Sequence, residues 1–246
     1  MYELVPYALL TLAVALLIDR FLGEPPNRWH PVVWMGRTIA FLDRRAPRGR
    51  AAREKAYGTL MALAVILLFG LATLFLTAAV RHTLGPLAWA LVGGAVLKTT
   101  FAIGAMAKHT EPVRAALLAG DLVLGRQKAA MMVSRDVSQL DEGHVLSCAA
   151  ESAAENTVDS ILSPLFYHGL LGVPAAVAYR ASNTLDAMVG YMDERHRHVG
   201  WFSARLDDCT NWLMARVAVP FILLALALTR TTDPAVVDAL DRFRKA

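Results

Sequence analysis

The sequence predicts an all-α fold, a polytopic membrane helical bundle, from three observations. Hydrophobic residues make up 56% of the 246 residues, and the mean hydropathy is +0.41. Charged residues contribute 19%, below the roughly 25% of ordinary soluble domains. Apolar runs approach the about 20 residues that a membrane-crossing helix needs, and no stretch alternates as a strand does. We expect about four to five membrane segments in a single membrane domain, 1–246.

Four apolar stretches are candidates for straight spans. The clearest is 56–80, which is uncharged, and the second is 83–107, which contains only Lys98 as a charge. The third is 212–229. The stretch 4–18 is short, but tilt or bilayer thinning would let it cross.

The uncharged stretch 160–179 is punctuated by helix-breaking residues, Pro164, Gly169, Gly172 and Pro174. Such punctuation indicates a broken or re-entrant segment.

Basic residues are concentrated in the loop 43–55, which we expect in the cytoplasm because positive charge favours that side. The N-terminus and the Arg81–His82 turn would then lie outside. The helical segment 108–159 would return to the cytoplasm, where Val113, Leu117 and Leu124 recur at helical spacing. That spacing predicts one amphipathic helix on the bundle or the membrane surface.

Polar residues cluster beside the apolar segments. Asp19, Glu24 and His30 lie in a proline- and glycine-rich stretch whose rigid backbone can direct them toward a shared point. The alternative is an interfacial turn anchored by Trp29 and Trp34.

A second cluster opens the polar motif region, 151–211. Glu151, Glu155 and Asp159 follow i, i+4, i+8 spacing and would share one helix face. Stacked carboxylates need a neutralising cation, and magnesium commonly takes one or two carboxylates plus substrate phosphates. A solvated helix face is the alternative.

Other polar residues are weaker candidates alone. Asn183 and Asp186 lie one helical turn apart, and Asp207 and Asp208 immediately precede the last span. Arg135 beside Asp136 could bind a phosphate or form an ordinary ion pair. Lys98, inside a predicted span, should have one of these carboxylates as its partner.

Several function classes lack support. No phosphate loop, dinucleotide fingerprint or serine-hydrolase elbow is present, and the histidines lack zinc-ligand spacing. Basic residues are not interleaved with aromatics, so nucleic acid is excluded as an expected partner. An ion-coupled transporter remains an alternative, but its expected pair of matching broken helices is not found.

In order, these motifs resemble the adenosylcobinamide-phosphate synthase family of cobalamin biosynthesis, from about residue 14 to 217. The matching segments are 19–20, 23–25, 30–32, Gly36, 134–136, 151–152, 155–156, Asp159, 164–167, 183–186, 188–191 and 204–208.

The resemblance implies a carbon–nitrogen ligase of the inner membrane, multi-pass, with its active site facing the cytoplasm. It would use ATP and Mg²⁺ to join adenosylcobyric acid, an adenosylated corrinoid, to aminopropanol phosphate. We expect catalytic roles for Glu151, Glu155, Asn156 and Asp159, and metal binding by Asp207 and Asp208. The expected substrate-binding residues are Asp19, Glu24, His30, Arg135, Asp136, Asn183, Asp186 and Arg205.

Expected partners are the two small-molecule substrates, membrane lipid, and a second copy of the chain or other cobalamin-pathway enzymes. Family members continue past the last span into a further polar motif, rich in Ser, Pro, Asn and Gly, that this sequence does not contain. The alternative is therefore a catalytically impaired paralogue that binds corrinoid or regulates the pathway.

Overall fold

The computed structural model describes residues 5–133 and 136–228, in which every regular element is a helix and no strand occurs. This confirms the predicted all-α fold. The helices are α1 Val5–Phe21, α2 Pro31–Asp43, α3 Ala51–Lys98, α4 Ile103–Leu118, α5 Leu122–Ala129, α6 Glu142–Thr157, α7 Ser163–Leu171, α8 Val173–Val189 and α9 Trp201–Leu228. A 3₁₀ turn, Asn27–Trp29, precedes α2, and a π-helical turn, Val158–Leu162, precedes α7.

The described chain divides into two compact units. The first comprises 5–102 and 159–214, and the second comprises 103–158 and 215–228. That both belong to a single membrane domain stays a prediction.

Helix α3 is a hairpin with arms 51–84 and 86–98. Gly85 has a φ of 85° and a ψ of 177°, which a side chain would disfavour, and Pro86 begins the second arm. A Cβ atom at Gly70 would lie 3.8 Å from the carbonyl oxygen of Pro174, and one at Gly93 would lie 3.5 Å from Val173 Cγ2. Because both arms reach the start of α8, the second arm folds back along the first.

The predicted straight span 83–107 is therefore wrong. Its helix is broken at Gly85 and again between Lys98 and the start of α4. The second arm has 13 residues and a length of about 20 Å, short of the about 30 Å hydrocarbon core.

Helix α1 packs closely on the second arm of α3. A Cβ atom at Gly94 would lie only 2.6 Å from Val14 Cγ1, so glycine is what lets the helices approach. Gly93 meets Thr11, while Lys98 meets Asp19 farther along both helices. The two helices consequently run in the same direction, and their C-terminal ends meet.

The predicted broken segment is confirmed as broken. The π-helical turn leads into α7, a nine-residue helix, and Gly172 at φ 81° separates α7 from α8. Tyr167 and Tyr179 stack with ring centroids 5.1 Å apart, so α7 packs back onto α8. Nine helical residues span about 14 Å, too short to cross a bilayer alone.

The second unit contains α4, α5 and α6 around its own apolar core, which includes Val113, Leu117, Val145 and Cys148. The prediction of one amphipathic helix through Leu124 is wrong. Gly120 at φ 73° ends the first helix, and Asp121 caps α5 by accepting a hydrogen bond from the Leu124 amide at 2.9 Å.

Two helical stretches are long and apolar enough to cross a membrane, Ala51–Leu118, which includes the interruptions just described, and Trp201–Ala225. Their apolar residues are largely exposed, whereas the core helix of a soluble protein would bury them. Exposed large side chains on α3 include Leu60, Leu67, Leu68, Phe75, Leu84 and Leu87. These features indicate a helical membrane protein. Leu4 and Thr229, which bound two of the predicted spans, lie outside the described residues.

Candidate functional site

The buried amine of Lys98 is the centre of a first polar network. Its Nζ lies 2.7 Å from Oε1 of Glu24, 3.2 Å from Oδ1 of Asp19 and 3.1 Å from the carbonyl oxygen of Phe101. An ammonium has three N–H donors, and each finds an acceptor here. The prediction that a carboxylate partners Lys98 is confirmed.

His30 completes this network from the start of α2. Its Nδ1 accepts a hydrogen bond from the Val32 amide at 3.2 Å, so neutral His30 carries its proton on Nε2 and donates it to Oε2 of Glu24 at 3.2 Å. Burial raises the pKa of Glu24, but the hydrogen bonds from His30 and Lys98 outweigh burial and hold this pKa below its ordinary 4.5. Asp19 and Glu24 therefore converge on Lys98, and His30 joins them through Glu24, which agrees with the first of the two interpretations of this stretch.

Asn183 of α8 is the centre of a second network. Its Nδ2 lies 3.3 Å from Oδ2 of Asp159 and 3.4 Å from Oδ1 of Asp207, so one amide bridges two carboxylates. Its Oδ1 accepts a hydrogen bond from Nη1 of Arg180 at 3.0 Å. Asp159 precedes Asn183 by 24 positions, and Asp207 follows it by 24. The network therefore joins the π-helical turn, α8 and α9.

Asn211 fixes the orientation of Asp207. Its Nδ2 donates to Oδ2 of Asp207 at 2.9 Å, one helical turn away on α9. Its Oδ1 accepts from the hydroxyls of Ser163 at 2.6 Å and Tyr179 at 2.7 Å. With every amide atom engaged on named partners, Asn211 ties α7, α8 and α9 together around the carboxylates.

Arg180 is the functional candidate that the sequence analysis missed. Its Nη1 donates to Asn183 and, at 3.4 Å, to Ser160, while its Nε is buried without a hydrogen-bond partner. It interacts electrostatically with carboxylates of both networks, Asp159, Asp207 and Glu24. The available signal was its position at the end of the uncharged run, three residues before Asn183.

Asp208 and Arg205 lie away from these networks. Their side chains are 72% and 70% exposed and form an ion pair at 3.8 Å, whereas Asp207 is buried. Successive helical residues project about 100° apart, so Asp207 and Asp208 do not converge on one point.

Asp186 lies in the last turn of α8, and Asp136 lies in the second unit. Asp186 packs against Gly190 at the end of α8, where a Cβ atom would overlap its carboxylate. Asp136 is exposed, and its Oδ1 accepts a hydrogen bond from the Ser138 amide at 2.8 Å. Arg135 lies outside the described residues.

The first three predicted catalytic residues belong to the second unit and are exposed: Glu151, Glu155 and Asn156. Helix α6 ends at Thr157, and Asp159 lies in the π-helical turn of the first unit. The i, i+4, i+8 spacing therefore does not describe one continuous α-helix, because a π turn adds a residue per turn. Over the described residues, no group of three or more His, Cys, Asp or Glu side chains is placed to hold a metal ion.

The fold and these networks define a class: an all-helical protein that has two helical stretches apolar enough to cross a membrane and that gathers carboxylates, amides and an arginine inside its first unit. Within that class, the chain belongs to the CobD/Cbib protein family, whose model matches residues 12–245. This confirms the family resemblance found in the sequence.

Two relatives illustrate the similarity. The cobalamin biosynthesis protein CobD of Chromobacterium violaceum is 42% identical over 221 residues, which cover 89% of this chain and 70% of the relative. The protein of the same name from Klebsiella pneumoniae is 42% identical over 227 residues, covering 90% and 70% respectively. No solved structure matches the chain.

Proposed function

We propose that this protein acts in cobalamin biosynthesis as an ATP- and Mg²⁺-dependent ligase. Transfer of the γ-phosphate of ATP would activate a carboxylate of adenosylcobyric acid as an acyl phosphate and release ADP. Attack by the amine of aminopropanol phosphate would then give adenosylcobinamide phosphate and release inorganic phosphate. Membership of a family whose relatives are named for cobalamin biosynthesis supports the pathway. The main structural support for an active site is the second network. There the amide of Asn183 donates hydrogen bonds to the carboxylates of Asp159 and Asp207 and accepts one from Arg180.

Amide formation needs a base, because an amine is protonated near neutral pH and attacks only as the free base. Asp159 is the residue we assign to this role. It is only partly buried, while Asp207 is buried and engaged by Asn211 and Asn183. Asp159 would take the proton from the substrate ammonium, with Asn183 holding the carboxylate in place.

Arg180 is the group we assign to substrate oxyanions. Its Nε has no partner, and a buried N–H without an acceptor costs about 1–3 kcal/mol. A phosphate or carboxylate oxygen would satisfy this donor and would meet a fixed positive charge.

The residues of the second network fit a magnesium ion shared with substrate phosphates. Asp207 would supply a hard oxygen ligand, and magnesium typically uses one or two carboxylates with phosphates and waters. Bound there, it would neutralise phosphate charge during activation of the carboxylate. We assign this role to Asp207 and not to Asp208, and we leave Asp159 as the base.

We further propose that the site faces the cytoplasm of an inner-membrane, multi-pass protein. The parallel course of α1 and the second α3 arm supports this topology. The first α3 arm would leave the cytoplasmic basic loop and run toward the outside of the cell. Helix α1 and the second α3 arm would then both run toward the cytoplasm. The two networks then lie toward the cytoplasmic ends of α1 and α3.

The test is turnover by the purified protein in detergent with adenosylcobyric acid, aminopropanol phosphate, ATP and magnesium. Mass spectrometry would follow the amide product, and each component would be omitted in turn. Product that requires all four supports the ligase. Corrinoid binding without product would instead favour the non-catalytic paralogue, and neither binding nor product would contradict both.

A further inference from the structure

The arginine-rich turn between α2 and α3 forms an exposed cationic surface in the first unit. We define the basic–aromatic surface by its five outward cations and two flanking rings: Arg44, Arg45, Arg50, Arg53, Lys55, Phe41 and Trp201. All seven side chains are exposed.

The acidic residues of the same turn face inward. Asp43 is buried, and its Oδ2 accepts a hydrogen bond from Nη2 of Arg195. Nε2 of His196 lies 3.7 Å from Oδ1 of Asp43. Glu54 is buried too, and its Oε1 accepts a hydrogen bond from the Gly49 amide at 2.7 Å. Because both carboxylates are used internally, the outward face keeps its positive charge.

Asp43 also fixes the surface against the loop before α9. Arg195, which it holds, accepts a hydrogen bond at its carbonyl oxygen from Nη1 of Arg48 at 2.7 Å. The turn and the α8–α9 loop are therefore held together, and the cations stand on a built scaffold.

Two of the cations sit on the flanking aromatic rings. The guanidinium carbon of Arg45 lies 3.5 Å from the ring centroid of Phe41, and Nζ of Lys55 lies 5.0 Å from that of Trp201. Immediately beyond, α3 exposes Leu60 and Leu63. The surface thus presents cations first, then aromatic rings and then exposed leucines. A bilayer presents matching regions in the same order, from its headgroups through the interface to its acyl chains.

We propose that the basic–aromatic surface binds the headgroups of anionic phospholipids. Charge complementarity requires an anion, and the adjoining exposed leucines require that the anion be attached to acyl chains. A soluble phosphate would satisfy the cations alone and would leave the apolar flank bare. The proposal depends on the chain residing in a membrane, and does not depend on the ligase activity.

The experiment measures lipid retained by purified protein, using native mass spectrometry after incubation in mixed micelles of phosphatidylglycerol and phosphatidylcholine. We expect wild-type protein to retain phosphatidylglycerol preferentially. The double variant R45Q/K55Q should lower that preference by about 25-fold, since each of the two cations near an anionic surface contributes about fivefold. The charge-keeping variant R45K/K55R should retain it, which separates loss of charge from loss of fold.

Arg81 provides the matched control. It is exposed at the far end of the first α3 arm, and its guanidinium carbon lies 5.9 Å from the ring centroid of Trp89. It is the only Lys or Arg between Lys55 and Lys98 in the sequence. R81Q should keep the lipid preference. Equal loss in R81Q, no loss in R45Q/K55Q, or full displacement of the lipid by inorganic phosphate would each overturn the proposal.

Discussion

The amine of Lys98 and the carboxylate of Glu24 are 2.7 Å apart, although 74 residues separate them along the chain. Lys98 is 1% exposed, and Asp19 also pairs with it. The contact ties the irregular segment after α1 to the end of α3, so it supports the first unit rather than offering a free amine to substrate.

Replacing Lys98 tests this supporting role. K98M should destabilise the protein by about 3–5 kcal/mol, because Asp19 and Glu24 would remain without their buried cation. Thermal unfolding in detergent would report the loss, with K108M, at an exposed lysine of α4, as the control. Adding E24Q to K98M should recover part of the stability. Equal stability of K98M and wild type would contradict the role.

Glu24 predicts an acid-sensitive component of stability. In the unfolded chain it titrates near its ordinary pKa of 4.5, and folding lowers this pKa through His30 and Lys98 despite burial. Its stabilisation is therefore fully present above about pH 4.5 and is lost as the pH falls through the lower folded value. Melting temperatures below pH 5 should fall less steeply in E24Q than in wild type. Parallel acid limbs would show that Glu24 contributes nothing.

Gly58 predicts a packing constraint between α3 and the start of α9. A Cβ atom there would overlap the backbone carbonyl of Val199, which cannot swing aside as a side chain could. G58A should cost about 1–3 kcal/mol. A Cβ atom at Gly169 in α7 would meet no neighbour within 4 Å, so G169A should be neutral or stabilise by up to about 1 kcal/mol. Comparable losses in both variants, measured by thermal unfolding, would contradict the close approach.

Arg180 predicts a substrate-dependent defect. R180Q removes the charge and the unsatisfied Nε donor, so turnover should fall about 10- to 100-fold, the range for a hydrogen bond to a charged group. R180K should recover only part, since lysine lacks the planar guanidinium fork. R205Q, at an exposed arginine, is the control. An unchanged rate for R180Q would remove Arg180 from the site.

The sequence was sufficient for the helical class, the polar partner of Lys98 and the break within 160–179, because each depends on local composition or on the cost of a buried charge. It was insufficient for the α3 hairpin. The run 83–107 carries no charge except Lys98, and only Gly85–Pro86 marks the reversal. Hydropathy measures how apolar a run is and cannot report its direction.

The sequence analysis selected three residues of the second network, Asn183, Asp159 and Asp207, but grouped them by their spacing along the chain. Asp159 was combined with Glu151 and Glu155 by α-helical spacing, which the π-helical turn interrupts. Asp208 was combined with Asp207 by adjacency, although a helix turns them apart. The sequence analysis did not select Arg180 as a site residue. Its place in the network depends on hydrogen bonds to Ser160 and Asn183 that form only in the folded chain.

The most direct test of the proposed site compares the two adjacent aspartates of α9. Asp207 is buried on Asn183 and Asn211, while Asp208 is exposed beside Arg205. The measurement is the rate of adenosylcobinamide phosphate formation by D207N and D208N in the same detergent, with melting temperatures confirming that both variants fold. The site predicts a loss of about 100-fold or more for D207N, which would lose its magnesium ligand, and near wild-type turnover for D208N. Wild-type turnover by folded D207N, or an equal loss in both variants, would contradict it.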